Sequence, residues 1–154
     1  MIRLVRVDER LIHGQTMQFV VPDYSIRKII VVDDLTAKNS LLKSIFQTAV
    51  PKHIKANVYT LEESIDVIKD ALIDSEITLL LLKYPRTYLK LKSLIANLPN
   101  ELNIGSQMAK NGTKYAEYAS LNEEDVNACK QLVSDGVRVY FNAIGSSGST
   151  IEWK

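Results

Sequence analysis

The chain has 154 residues, 46% of them hydrophobic and 24% charged, the make-up of one folded globular domain rather than a disordered segment. Its 19 basic and 18 acidic residues leave a formal charge of +1, so no field of one sign is available to gather nucleic acid. A single cysteine, Cys129, excludes an internal disulfide and suits a reducing cytoplasm; charges inside "MIRLVRVDER" argue against a signal peptide, and "ITLLLLKYP" is too short to span a bilayer.

Taken in chain order, "IRLVRV" (2–7) is short and rich in β-branched residues and predicts a strand. "KIIVVDD" (28–34) has four consecutive β-branched residues before two acids, the pattern of a strand buried on both faces of a parallel sheet. Leu41, Leu42, Ile45, Phe46 and Ala49 mark a helical stripe closed by Pro51. "KANVYT" (55–60) is a further strand. Thr60 and Glu63 have capping-box spacing ahead of a helix carrying Ile65, Ile68, Ala71 and Leu72. After the strand "EITLLLLKY" (76–84), Pro85 opens a helix with Tyr88, Leu91, Ile95 and Leu98 on its apolar side. Ser120 with Glu123 suggests another capping box, before Val126, Cys129, Leu132 and Val133; Gly136 stops that helix and "GVRVYFNAI" (136–144) is a late strand. The alternation implies an α/β fold, an open, mainly parallel sheet with helices on both faces, as a single domain over 1–154. The tail 145–154 reads as flexible or, at "TIEW", as an edge strand.

In such folds ligands gather beyond the carboxyl ends of the strands. His13 lies there, six residues past Val7, inside "RVDERLIHGQ". An imidazole is unprotonated often enough at neutral pH to attack phosphorus, and phosphoryl transfer needs little else than positioning and charge stabilisation. Arg10 supplies a guanidinium fork for phosphoryl oxygens, Gly14 a close backbone approach, and a helix starting near Gln15 free N–H groups. Asp8 either fixes one ring nitrogen of His13 or only orients an arginine. Arg6 is a further candidate, although a strand residue can point away. Asp34, at the exit of the second strand, and Ser106 and Gln107, in "GSQMAKNG", are candidates for phosphate or partner contacts. The bland alternative is a loop histidine bonded to backbone, with Arg6 and Arg10 in surface ion pairs; spacing alone leaves both readings open. The other histidine, His53, sits in a polar turn, and no His or Cys cluster has metal-ligand spacing, so neither metal nor cofactor is expected. The missing G-x-G-x-x-G after the first strand argues against a nucleotide binder. Cys129, on an apolar stripe, reads as core.

The string "VRVDERLIHGQ" resembles the amino-terminal signature of the IIB components of the mannose/fructose/sorbose class of the bacterial phosphoenolpyruvate-dependent sugar phosphotransferase system, typically "hRhDdRLIHGQV" with h apolar. "KIIVVDDLTAKN", "LNIGSQM" and "SLNEEDVNACKQLVSDGVRVYFNAI" resemble later family segments in order, so the likeness runs over roughly residues 1 to 145. Departures are Asp33 where Asn is common, "GSQM" in place of "GGM", and the tail "GSSGSTIEWK". The resemblance implies a phosphotransferase that takes a phosphoryl group from a IIA phosphohistidine protein or domain onto His13 and passes it to a sugar held by membrane IIC and IID components. Arg10 maps onto the family's phosphate-side arginine and Asp8 onto its neighbouring acid. The resemblance further implies a cytoplasmic protein held at the inner face of the membrane through IIC and IID, and a possible homo-oligomer. A regulatory phosphoprotein of the same fold, passing no phosphate to sugar, is the alternative.

Overall fold

The computed structural model describes residues 1–144 and 148–154. In chain order the elements are β1 (Ile2–Val7), a π-helical turn (Thr16–Val20) running into α1 (Val21–Asp23), β2 (Lys28–Val32), α2 (Asp34–Ala37), α3 (Ser40–Thr48), β3 (Lys55–Tyr59), α4 (Leu61–Ile73), β4 (Thr78–Leu82) and α5 (Pro85–Leu94). They continue with β5 (Glu101–Ile104), β6 (Gln107–Met108), β7 (Thr113–Ala116), β8 (Ala119–Leu121), α6 (Glu123–Ser134), β9 (Arg138–Phe141) and β10 (Ile151–Glu152).

Among the described residues the larger sheet runs β10-β9-β5-β1-β4-β2-β3. Every pairing in it is parallel except that of β10, which returns antiparallel on β9. The central strands are apolar on both sides because helices cover both faces. On one face Ile68 of α4, Tyr88 and Leu91 of α5, and Cys129 and Leu132 of α6 pack on Val5, Val7, Leu80, Leu82 and Phe141. On the other, Leu11, Ile12, Val20 and Val21 of the first loop and its helical turns pack on Leu4, Ile29, Val31, Leu79 and Leu81. Each such side chain, fully buried, contributes about 1.5–3 kcal/mol relative to exposure.

Several expectations need correction. The stripe on α3 does not reach the core: Leu41, Leu42 and Ile45 are exposed, and only Phe46 leans on the second apolar cluster. Helical periodicity reports that one face is apolar, not that another element meets it. Ile95 and Leu98 are buried, but past the end of α5, where Asn97 at φ 67 turns the chain back. The capping box on α6 is absent, since Ser120 is taken up by β8 and Asn122 caps instead, its side-chain oxygen accepting the Asp125 N–H at 2.9 Å. The Thr60–Glu63 capping box on α4 is present in both directions.

A small second sheet, β6-β8-β7, follows β5 directly. It is fastened by an aromatic stack in which Tyr115 of β7 lies 5.2 Å from Phe141 of β9 and 4.6 Å from Trp153, centroid to centroid. Part of the expected flexible tail, 145–147, lies outside the described residues. The expected edge strand is β10, where the Trp153 N–H donates to the Val139 carbonyl and Glu152 receives a two-pronged bond from Arg138 at 2.8 and 2.7 Å.

Candidate functional site

β1 ends between β4 and β5, and the chain leaving it is stitched to both. The Asp8 N–H donates to the Leu82 carbonyl at 2.9 Å and the Glu9 N–H to the Ser106 carbonyl at 3.0 Å. The Leu11 N–H then donates to the Asp8 carbonyl, closing a turn that puts Leu11 in the left-handed region at φ 57. A branched residue is strained there; burial of its side chain in the core and a bond from Thr16 Oγ1 to its carbonyl hold it in place. The Met17 N–H donates to the His13 carbonyl, so a helical turn starts at His13 itself, a few residues ahead of the π-helical segment.

Asp8 is the centre of the arrangement, with no exposed side-chain surface. Its Oδ1 accepts the Arg10 backbone N–H at 3.0 Å and Arg10 Nε at 3.1 Å. Its Oδ2 meets Arg10 Nη2 at 3.1 Å, His13 Nε2 at 3.0 Å and, as an ion pair, Arg6 Nη2 at 3.6 Å. Burial alone would push this carboxyl up, but the bonds from His13 and Arg10 prevail and hold it down at about 2. An ionised carboxylate only accepts, so Nε2 of His13 carries a ring hydrogen toward Asp8, and the ring's other nitrogen is Nδ1. That nitrogen faces the Gln15 backbone N–H at 3.3 Å. The His13 side chain is 17% exposed and that of Arg10 43%. Arg10 Nη2 also bonds Gln15 Oε1 at 3.1 Å. Gly14 has open space where a Cβ would stand, so the backbone beside His13 is unobstructed.

Arg6 does not form a surface ion pair and has no open face toward a phosphoryl group. It is 1% exposed and lies beneath Asp8. Its Nη1 donates to Asn103 Oδ1 and, at 2.9 Å, to the Asn142 carbonyl; Nη2 donates to the Ala143 carbonyl at 3.0 Å. Burial lowers its pKa and the nearby Asp8 charge opposes that shift. Gly105 lines the same pair. A Cβ there would stand 2.8 Å from Arg6 Cζ, closer still to Nη2, and 3.0 Å from Asp8 Oδ2.

The other sequence candidates are placed differently. Ser106 meets the loop through its carbonyl, which accepts from Glu9. Gln107 is buried and spans from its own strand to the Lys83 carbonyl at 2.8 Å, a link between the ends of β4 and β6. Among the described residues Asp34 joins no bond of the His13 cluster: its Oδ1 accepts the N–H of Leu61, the first residue of α4, at 2.8 Å, while Asp33 caps α2 through Thr36. Asn103, Gly105 and the carbonyls of Asn142 and Ala143 escaped the sequence reading. The available signal was a lone asparagine inside the otherwise apolar strand end "LNI". Cys129 is fully buried, and burial pushes its thiol up to about 12, so it is inert as a nucleophile. Among the described residues no helix is long and apolar enough to cross a membrane.

A family model described as PTS system sorbose subfamily IIB component matches residues 2–153. The match takes in the tail, so the family pattern does not stop near residue 145 as expected. The PTS system sorbose-specific EIIB component of Lacticaseibacillus casei is 30% identical over 151 residues, covering 97% of this chain and 91% of the relative. The PTS system mannose-specific EIIAB component of Escherichia coli K12 is 27% identical over 139 residues, 90% of this chain but 43% of that longer protein. The crystal structure of the IIBSor domain of the sorbose permease from Klebsiella pneumoniae matches with a TM-score of 0.88 at 25% identity, covering 98% of this chain and 92% of its own. The PTS system N-acetylgalactosamine-specific IIB component 1 of Escherichia coli shares the fold, with a TM-score of 0.90 at 21% identity over the whole of both chains. With a family match over nearly its full length, and solved IIB structures sharing its parallel sheet, the chain belongs to the sorbose-subfamily IIB components of the sugar phosphotransferase system.

Proposed function

We propose that the protein is a phosphocarrier that accepts a phosphoryl group on Nδ1 of His13 from a IIA phosphohistidine and passes it to a sugar during uptake through membrane IIC and IID components. The observation that carries this reading is the Asp8–His13 bond, which occupies Nε2 and leaves Nδ1 as the basic nitrogen at the surface. In the first transfer the Nδ1 lone pair attacks phosphorus and forms a new N–P bond. The donor's N–P bond breaks and its electron pair returns to the donor ring. In the second, a sugar hydroxyl oxygen attacks phosphorus, the His13 N–P bond breaks, and the hydroxyl proton passes to the freed nitrogen. Both steps proceed through a loose transition state with charge on the phosphoryl oxygens. Arg10, exposed and reaching only partly into Asp8, stabilises that charge; the N–H groups of Gly14 and Gln15, at the start of the helical turn, add donors.

The test is intact-mass analysis after incubation with phosphoenolpyruvate, enzyme I, the histidine carrier protein and a matching IIA, repeated after acid treatment. One acid-labile phosphate is expected, absent from His13→Ala. Arg10→Ala is expected to accept phosphate about a hundredfold more slowly, the cost of one lost charge-stabilising donor. Phosphorylation of His13→Ala at the normal level rejects the reading.

A further inference from the structure

Arg10 has two duties that conflict. It bonds Asp8 through Nε and Nη2, and its exposed end is the group that an incoming phosphoryl attracts. As it turns outward, Asp8 loses two of the bonds that hold its charge. A buried carboxylate stripped of its partners becomes protonated, and a protonated carboxyl no longer requires the hydrogen to sit on His13 Nε2. A second cation, one that does not move, is needed.

Arg6 fits that need. Both terminal nitrogens of its guanidinium are fixed by oxygens from three residues, Asn103 Oδ1 on β5 and the carbonyls of Asn142 and Ala143 after β9. Those acceptors belong to the sheet and to the chain leaving it, so the fork has one orientation. In that orientation Nη2 stands 3.6 Å from the same Oδ2 that His13 contacts. The space it occupies exists because residue 105 is glycine. Lysine, a point charge on a flexible stem, cannot satisfy three acceptors and the carboxylate together.

We propose that Arg6 is a positioning residue for phosphoryl transfer, acting through Asp8 to keep Nε2 of His13 protonated and Nδ1 free while Arg10 engages the phosphoryl group, and that Gly105 is the residue that admits it. This rests on His13 being the phosphoryl acceptor. Arg6 never touches phosphate; its effect is read at the imidazole.

The test uses the full chain with ¹⁵N-labelled histidine. In the wild type the ring nitrogens of His13 should report the Nε2–H tautomer. Arg6→Lys keeps the charge and loses the fork; Gly105→Ala keeps every polar group and displaces the guanidinium. Both are expected to shift His13 toward a mixture of tautomers and to slow its phosphorylation at least tenfold, the scale of a misplaced reacting group. Amide spectra should stay dispersed. Folded variants with wild-type tautomer and wild-type rate overturn the proposal and leave Arg6 as part of the core only. If both variants fail to fold, Asn103→Ala removes a single acceptor of Arg6; a partial tautomer shift supports the coupling and none overturns it. A wild type that no IIA donor phosphorylates defeats the carrier reading instead, because the tautomer measurement needs no phosphate.

Discussion

At the scale of single residues the site is organised by a charge imbalance. Two guanidinium groups and an imidazole converge on one buried carboxylate. Asp8 with the two guanidinium groups is therefore net positive, which suits the dianionic phosphoryl group of the proposed function. The same residue carries a stability that depends on pH. Its folded pKa, about 2, lies below the ordinary 3.8, so the ionised form is favoured in the native state. That contribution, about 2 kcal/mol, is fully present above about pH 4 and is lost as the pH falls toward about 2. Asp8→Asn removes it and leaves Arg6 buried without its counter-charge. The expected outcome is a stability gap between wild type and Asp8→Asn that is wide at pH 7 and narrows below pH 4, read from urea midpoints across the range. A gap of constant width contradicts the assignment. The comparison isolates Asp8 because Asp74, also held at about 2 by Lys28 and the amino terminus, is present in both proteins.

At the scale of elements, local chemistry was legible and distant chemistry was not. The apolar runs that became β2 and β4 advertise their burial residue by residue, and the Thr60–Glu63 pair caps α4 as its spacing implies. Thr60→Ala should cost about 1 kcal/mol in urea unfolding while leaving phosphate acceptance intact, since only the helix end is touched. A large loss of acceptance would instead make the α4 terminus part of the site. His13, Arg10 and Asp8 were legible because they sit within six residues of one another. Asn103 was not: it meets Arg6 across 97 positions, and no periodicity connects them. Asp34 illustrates the opposite difficulty. An acid at a strand exit looks the same in sequence whether it faces a ligand or, like Asp34, takes up an N–H at the start of a distant helix. The strands β6 and β8 are two and three residues long, too short for an alternating pattern to register.

At the scale of the whole molecule the last residues serve as a clasp. Trp153 stacks on Tyr115 and lies over Phe141, so it ties β10, β9 and the small sheet that carries Gln107 into one body. Trp153→Ala should lower stability by about 2 kcal/mol, somewhat less than a fully buried tryptophan costs, seen as a drop of several degrees in Tm. An unchanged Tm would mean that the tail rests on the sheet without holding it.

The order of strands has a consequence for the protein as it is made. β1 precedes β4 and β5 in the sequence, yet it lies between them in the sheet, and the carbonyls that hold Arg6 belong to residues 142 and 143. His13 is therefore synthesised well before the residues that fix the Arg6 guanidinium beside its carboxylate partner Asp8. A chain that stops short of residue 142 holds His13 and Asp8 but lacks the carbonyls that fix Arg6 beside them. If His13 is the phosphoryl acceptor, as proposed, that acceptor is backed by its full set of partners only once β9 and the two residues after it have been made and folded onto β5.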